Sequence, residues 1–231
     1  MGLSHSPRIV TDGLVLCLDA ANKRSYPGAG TTWTDLTANK KTGTLTNMDG
    51  SNFSNDGAGS LTFDGSDEQV NFGDIIDISS NYTLECWFKG SATQSTDYIG
   101  IFAKDSPSNF GNYGFFGDVG SNYVRFGFRD TSGVQKETSN SNYNDIKSTL
   151  WVHYVGTYDF SSLILYRNGI NIASSSANTT PETNSNPLSI GNRYTNNRWF
   201  TGHIAMCRIY NRALSASEVL QNYNATKWRF Q

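Results

Sequence analysis

GHIAMCRIYNRALSASEVLQNYNATKW, running from Gly202 to Trp228, contains the change of period that decides the fold. His203, Ala205, Cys207 and Ile209 alternate with Ile204, Met206, Arg208 and Tyr210, the period of two expected of a strand whose faces differ in burial. Ser215 with Glu218 three residues later then makes a capping box, in which hydroxyl and carboxylate each satisfy a backbone amide left unpaired at a helix start. Leu214 and Val219 flank that box at staple spacing, and Val219, Leu220 and Tyr223 form a short apolar stripe. A helix of two or three turns is marginal alone in water, so it needs a larger body to pack on.

Outward from that stretch, the sequence supplies sheets. NYTLECWFKG places Tyr82, Leu84, Cys86 and Phe88 on one face and Thr83, Glu85, Trp87 and Lys89 on the other. YVRFGFR does the same with Val124, Phe126 and Phe128. Further strands read from Leu14 to Leu18, Ile99 to Lys104, Asn112 to Val119 and Trp151 to Tyr158. Asn168-Gly169 supplies the positive backbone angles of a two-residue hairpin turn, and Asp64-Gly65 predicts a tight reversal between two short strands. Many short strands separated by Gly, Asn, Asp and Ser turns predict an all-β, two-sheet antiparallel jelly-roll sandwich with a short C-terminal helix. Residues 1–12 read as an N-terminal arm and 13–231 as one domain.

Composition narrows the function classes. Charged residues are only 16% and the formal net charge is -2, with no Lys/Arg cluster, so neither nucleic acid nor an acidic membrane surface is an expected partner. Asn, Ser and Thr make up roughly a third of the chain, a polar but sparsely ionised surface. Cys17, Cys86 and Cys207 each lie in an apolar run, and an odd count without CxxC spacing reads as reduced core residues. The longest apolar run, Gly13 to Leu18, is too short to span a membrane, and no basic leader or cleavage site is visible. Synthesis in a reducing cytoplasm without a signal peptide is expected.

FDGSDEQVNFG, YTLECWFKG, WVHYVGTYD with LYRNGINIA, PLSIGNR and the closing FTGHIAMCRIYNRALSASEVLQNYNA follow one another in the order of the laminin-G-like branch of the concanavalin A-like lectin and glucanase superfamily, which this chain resembles from about Leu14 to Ala225. More narrowly, SPRIVTDGLVLCLDAANKRSYPG and RIYNRALSASEVLQNYNA resemble laminin-G-like structural proteins of tailed bacteriophages. The resemblance implies a terminal strand paired near Leu14 to Leu18, with the capped helix folded over one end of the sandwich. It also implies a virion-surface protein, decorating the capsid or forming a tail appendage, with other virion proteins and host-surface glycans as partners. A stand-alone carbohydrate-binding lectin is the alternative.

Enzyme activity is not expected. Glycoside hydrolysis needs two carboxylates across the scissile bond; here Glu85 stands alone on its strand, and adjacent Asp67 and Glu68 would face opposite ways on a strand. His153 and His203 read as structural, and no GxSxG elbow or P-loop occurs. No cofactor is required. Relatives of the fold hold Ca2+, for which Asp64 and Asp67 are the candidate ligands, but without calcium-loop spacing and with Ala205-Met206 where many relatives carry an acidic pair. Sugar recognition uses aromatic faces with planar polar side chains on loops. NRYTNNRWF offers Arg193, Tyr194, Asn197, Arg198 and Trp199, and SNFGNYGFF offers Asn112 and Tyr113.

Overall fold

A computed structural model describes residues 7–105, 111–121, 123–140, 143–193 and 197–231. The strands in chain order are β1 (Leu14–Asp19), β2 (Thr32–Thr34), β3 (Thr42–Thr46), β4 (Phe53–Ser54), β5 (Ser60–Asp64) and β6 (Gln69–Asn71). Then come β7 (Tyr82–Lys89), β8 (Ile99–Lys104), β9 (Tyr113–Asp118), β10 (Tyr123–Arg129), β11 (Gln135–Ser139) and β12 (Val152–Tyr158). The last are β13 (Ser162–Arg167), β14 (Ile170–Ser176), β15 (Leu188–Ile190), β16 (Asn192–Arg193), β17 (Arg198–Trp199) and β18 (Thr201–Tyr210), followed by helix α1 (Ala216–Thr226).

They build an antiparallel jelly-roll sandwich. One sheet runs β14-β13-β12-β7-β18-β5-β4, with β1 also paired to β18; the other runs β11-β10-β9-β8-β15-β6-β3-β2. The core lies between them, where Tyr82, Leu84, Cys86 and Phe88 meet Val124, Phe126 and Phe128, the faces their alternation assigns. The Tyr82 ring centroid lies 5.6 Å from that of Phe126, 5.8 Å from Tyr158 and 5.9 Å from Tyr113. Asn168 and Gly169 take φ of 51° and 80° and close the β13–β14 hairpin as expected. Asp64-Gly65 does not close one: β5 pairs with β4 and β18 while β6 pairs with β3 and β15, so this turn carries the chain from one sheet to the other.

Strand β18 organises the first sheet. Its first half pairs with β5 and its second half with β1, as the resemblance implied, while its other edge pairs with β7. A bulge between Ile204 and Met206 shifts the register, so the strict alternation read from sequence breaks there. Ile204, Cys207 and Ile209 enter the main core, while Ala205 and Met206 pack with Trp87 on the outer face.

The helix also corrects an expectation. Ser215 and Glu218 form the capping box, but α1 lies on the outer face of the first sheet instead of plugging an end. Val219 packs with Val10, Val155, Tyr166, Tyr210 and Leu214, and Tyr223 stacks on Trp87 at 5.9 Å. Leu220 is 45% exposed, so the buried stripe is Val219, Asn222 and Thr226. The cause is the outer face of β7, β12 and β18, whose Trp87, Val155 and Tyr210 need apolar cover. The described part of the arm joins this cover, with Val10 N–H donating to Asn222 Oδ1 at 2.8 Å and Gln221 Nε2 donating to Arg8 O at 2.7 Å. All three cysteines are free and buried. Among the described residues no helix is long and apolar enough to cross a membrane.

Candidate functional site

The hairpin of β16 and β17, with Asn192 opposite Trp199 and Arg193 opposite Arg198, folds back over β8. Gly100 makes that approach possible: a Cβ there would stand 2.5 Å from the Asn192 carbonyl carbon. Arg193 anchors the first strand of the hairpin. Its guanidinium pairs with Asp105 and lies 5.0 Å over the Phe116 ring, and the residue is only 5% exposed. On the second strand Arg198 and Trp199 are half-buried. Gln94 holds this strand in place, donating to Trp199 O at 3.1 Å and accepting from Thr201 N.

Arg198 reaches Tyr98, its guanidinium carbon 5.0 Å from the ring centroid, and Arg125 approaches the same ring at 5.3 Å. Such spacing is that of cation–π contacts. Tyr98 is 39% exposed and adopts φ of 53°, a left-handed conformation uncommon outside glycine and often found where a site must be held in shape. Asp97 fixes this corner, its Oδ1 accepting from Val119 N–H at 2.7 Å and Tyr98 N–H at 2.9 Å. Arg125 is held from behind by Asp118 and by Glu137 at 3.2 Å. Burial would raise the Asp118 carboxyl, but the Ser121 backbone N–H and the Arg125 guanidinium outweigh it and keep it below the usual range. Arg198 makes no ion pair among the described residues. The result is a part-exposed aromatic ring with two guanidinium groups beside it.

The residues singled out from sequence therefore separate. Arg198 reaches the patch; half-buried Trp199 follows it in the chain and exposed Asn197, with φ of 51°, precedes it. Tyr194 lies outside the described residues. Arg193 is beneath the hairpin, paired with Asp105. Asn112 and Tyr113 are fully buried and do not face solvent. The Asn112 amide donates to Ile78 O at 2.7 Å and accepts from Ile78 N at 2.9 Å, while the Tyr113 hydroxyl donates to Ile76 O at 2.9 Å. Buried polar side chains must be satisfied locally, and these two hold the loop before β7. Sequence reading missed Tyr98 and Arg125; the outward position of Arg125 on its strand was a usable signal, whereas nothing in the pattern marks Tyr98.

Asp64 and Asp67 are exposed, and Asp64 Oδ1 accepts from Ser66 N–H at 2.7 Å in a local turn. Among the described residues no group of three or more His, Cys, Asp or Glu is placed to hold a metal ion. Glu85, the lone strand carboxylate, is 1% exposed beneath α1. It pairs with Arg208, contacts His153 Nε2 at 3.0 Å and accepts from Asn222 Nδ2 at 2.7 Å. Burial would raise its pKa, but Arg208 and His153 outweigh that and hold it at about 2. It is a structural anion facing no groove.

This architecture defines a two-layer lectin-like sandwich with α1 on the outer face of one sheet and the β16–β17 hairpin against β8 of the other. The chain belongs to the concanavalin A-like lectin/glucanases superfamily, whose laminin-G-type family model matches residues 64–220. Among solved structures, the binding domain of Paraclostridial Mosquitocidal Protein 1 is similar with a TM-score of 0.70 and 18% identity, over 92% of this chain and 52% of that one. The ligand binding domain of Botulinum neurotoxin serotype D, in complex with N-acetylneuraminic acid, gives 0.64 and 16%, over 92% and 50%. Domain 4 of AbnA, an extracellular arabinanase from Geobacillus stearothermophilus, in complex with arabinotriose, gives 0.62 and 20%, over 91% and 98%. The chain thus spans about half the length of the toxin domains and nearly all of the arabinanase domain. No curated protein sequence matches it.

Proposed function

We propose that the protein is a carbohydrate-binding display module without catalytic activity, and that the Tyr98–Arg198–Trp199 patch is its contact surface. The observation that carries this reading is the part-exposed Tyr98 ring approached by two guanidinium groups, at 5.0 and 5.3 Å, with a half-buried tryptophan next to Arg198 in the chain. Aromatic faces accept the C–H side of a sugar ring, and planar donors take its hydroxyls. Support also comes from the arabinanase domain, similar over almost its whole length and solved with a bound oligosaccharide. The committed state of the carboxylates favours binding over hydrolysis, since Glu85 is enclosed and Asp118 is tied to Arg125.

The setting we propose is the surface of a phage particle, as capsid decoration or tail appendage, made in the host cytoplasm and held by other virion proteins. The sequence likeness to tailed-phage structural proteins supports this, and three buried free thiols agree with synthesis in a reducing compartment. A glycan array with the purified protein and its Trp199→Ala variant tests the binding, and antibody labelling of intact particles tests the location. Binding that survives Trp199→Ala unchanged sinks the patch assignment; absence from purified particles sinks the virion assignment.

A further inference from the structure

A second aromatic surface lies elsewhere. The 3₁₀ turn Lys227–Arg229 follows α1, and its Trp228 is 64% exposed. The indole does not swing freely, because its Nε1–H donates to Ala225 O at 3.1 Å. Trp228 borders an open cleft of about 520 Å3 lined by Asp19, Asn22, Lys23, Ala58 and Arg229, a size within the range of ligand sites. One wall is rigid. Arg229 makes two contacts with Asp19, at 3.0 and 3.1 Å, and a third with Gly57 O at 3.1 Å, so that guanidinium and that carboxylate cancel. Ala58 in the same wall has φ of 58°, strained for a residue with a Cβ.

Asn22 and Lys23, in the same lining, keep donors in reserve. Lys23 is exposed and makes no ion pair among the described residues. Asn22 accepts from Arg24 N–H at 3.0 Å through Oδ1, leaving its Nδ2 donors to a ligand. The cleft therefore combines a fixed aromatic face, an amide donor and one uncompensated positive charge.

We propose that this cleft is a second carbohydrate site and that it takes an acidic sugar, one bearing a carboxylate. The sugar ring stacks on Trp228, its carboxylate faces Lys23, and hydroxyls bond the Asn22 amide. This goes beyond the patch at Tyr98, with which the cleft shares no residue. A pinned indole also loses little freedom on binding, which favours recognition of a small ligand.

The test is isothermal titration with sialyllactose against lactose, and with trigalacturonate against its methyl ester, on the full chain and on Trp228→Ala, Lys23→Gln and Trp199→Ala. At least one carboxylated sugar should bind with a Kd of about 1 mM or tighter, and its uncharged counterpart at least roughly tenfold more weakly. Trp228→Ala should abolish that binding, and Lys23→Gln should reduce it to the level of the uncharged sugar. Trp199→Ala should leave it unchanged even if it removes binding at the Tyr98 patch, so the two sites fail separately. The proposal is overturned if no carboxylated sugar binds, if charged and uncharged sugars bind alike, or if Trp228→Ala and Lys23→Gln both bind as the parent does.

Discussion

The Asn222 amide of α1 donates to Glu85 Oε2 on β7 at 2.7 Å, a contact between residues 137 apart in sequence. The same amide donates to the Tyr210 hydroxyl at 2.9 Å, and its oxygen accepts from Val10 N–H at 2.8 Å. Sheet, helix and N-terminal arm thus meet at one side chain. Glu85→Ala leaves Arg208 buried at 3% exposure without its carboxylate, and such a loss costs about 3–5 kcal/mol. Asn222→Ala orphans Val10 N–H and part of Glu85, at about 1–3 kcal/mol. Urea denaturation midpoints measure both; a shift under about 0.5 kcal/mol for either means the cluster does not hold the helix down.

The same carboxylate sets an acid limit. Glu85 has its pKa lowered from 4.5 to about 2 in the folded protein, so between those values the unfolded chain binds more protons. Its contribution to stability is complete above about pH 4.5 and is lost as pH falls toward about 2. Glu218, lowered to about 2 by Arg212, acts in the same sense, but the pair is half-buried at the surface, where solvent screening makes the effect small. Thermal melts should show Tm dropping steeply across that window and Glu85→Gln weakening the slope. A Tm flat through it in the parent protein contradicts the assignment.

How legible all this was in sequence depends on where each side chain's partner lay. The inward faces of β7 and β10 and the capping box at Ser215 are local patterns, and they were read correctly because alternation and cap spacing report directly on burial and on unpaired amides. The seat of α1 was misread because its determinants, Trp87, Val155 and Asn222, lie on three separate elements and look like surface when each is taken alone. Asn112 and Tyr113 were misread for a related reason. Their partners at Ile76 and Ile78 sit more than thirty residues away, and a loop-like Asn-Tyr pair has the same composition whether it faces sugar or backbone. The NRYTNNRWF stretch shows the limit of composition: Arg193 is buried on Asp105 while Arg198 and Trp199 are half-buried, a division that follows from the hairpin register and not from residue type.

Tyr82 carries a buried hydroxyl with no hydrogen-bond partner among the described residues, although its ring is packed on all sides by aromatic side chains. A hydroxyl in that position is desolvated without compensation. Tyr82→Phe should therefore stabilise the fold by about 1 kcal/mol, read as a higher urea midpoint at unchanged m-value. Destabilisation by that amount would show that the hydroxyl has a partner, most simply a buried water.

Calcium should have no effect on stability. Asp64 Oδ1 is engaged by Ser66 N–H and the Asp67 backbone carbonyl by the Asn47 amide at 3.3 Å, and a hard-cation site needs about six oxygens or more. Melts in millimolar Ca2+ and in EDTA should coincide in the parent and in Asp64→Asn. A rise in Tm with Ca2+ that Asp64→Asn abolishes would instead establish the site.

Arg198 and Asn112 were candidates of the same kind, and their variants should now behave oppositely. Arg198 is half-buried and its ring contact is with Tyr98 on the surface, so Arg198→Ala should leave Tm within about 1 °C of the parent. It should weaken glycan binding at the patch by about tenfold or more, the worth of one charge-assisted contact. Asn112→Ala removes the partner of Ile78 N–H and Ile78 O in the interior, at a cost of about 1–3 kcal/mol per group left unpaired. Whatever fraction of Asn112→Ala remains folded should bind glycan with parental affinity, because nothing it touches reaches the patch. Calorimetric melts and array titrations on the same preparations separate the two effects. If Asn112→Ala loses binding while keeping its Tm, and Arg198→Ala keeps both, the contact surface lies around β9 and the patch at Tyr98 is ornament on the hairpin.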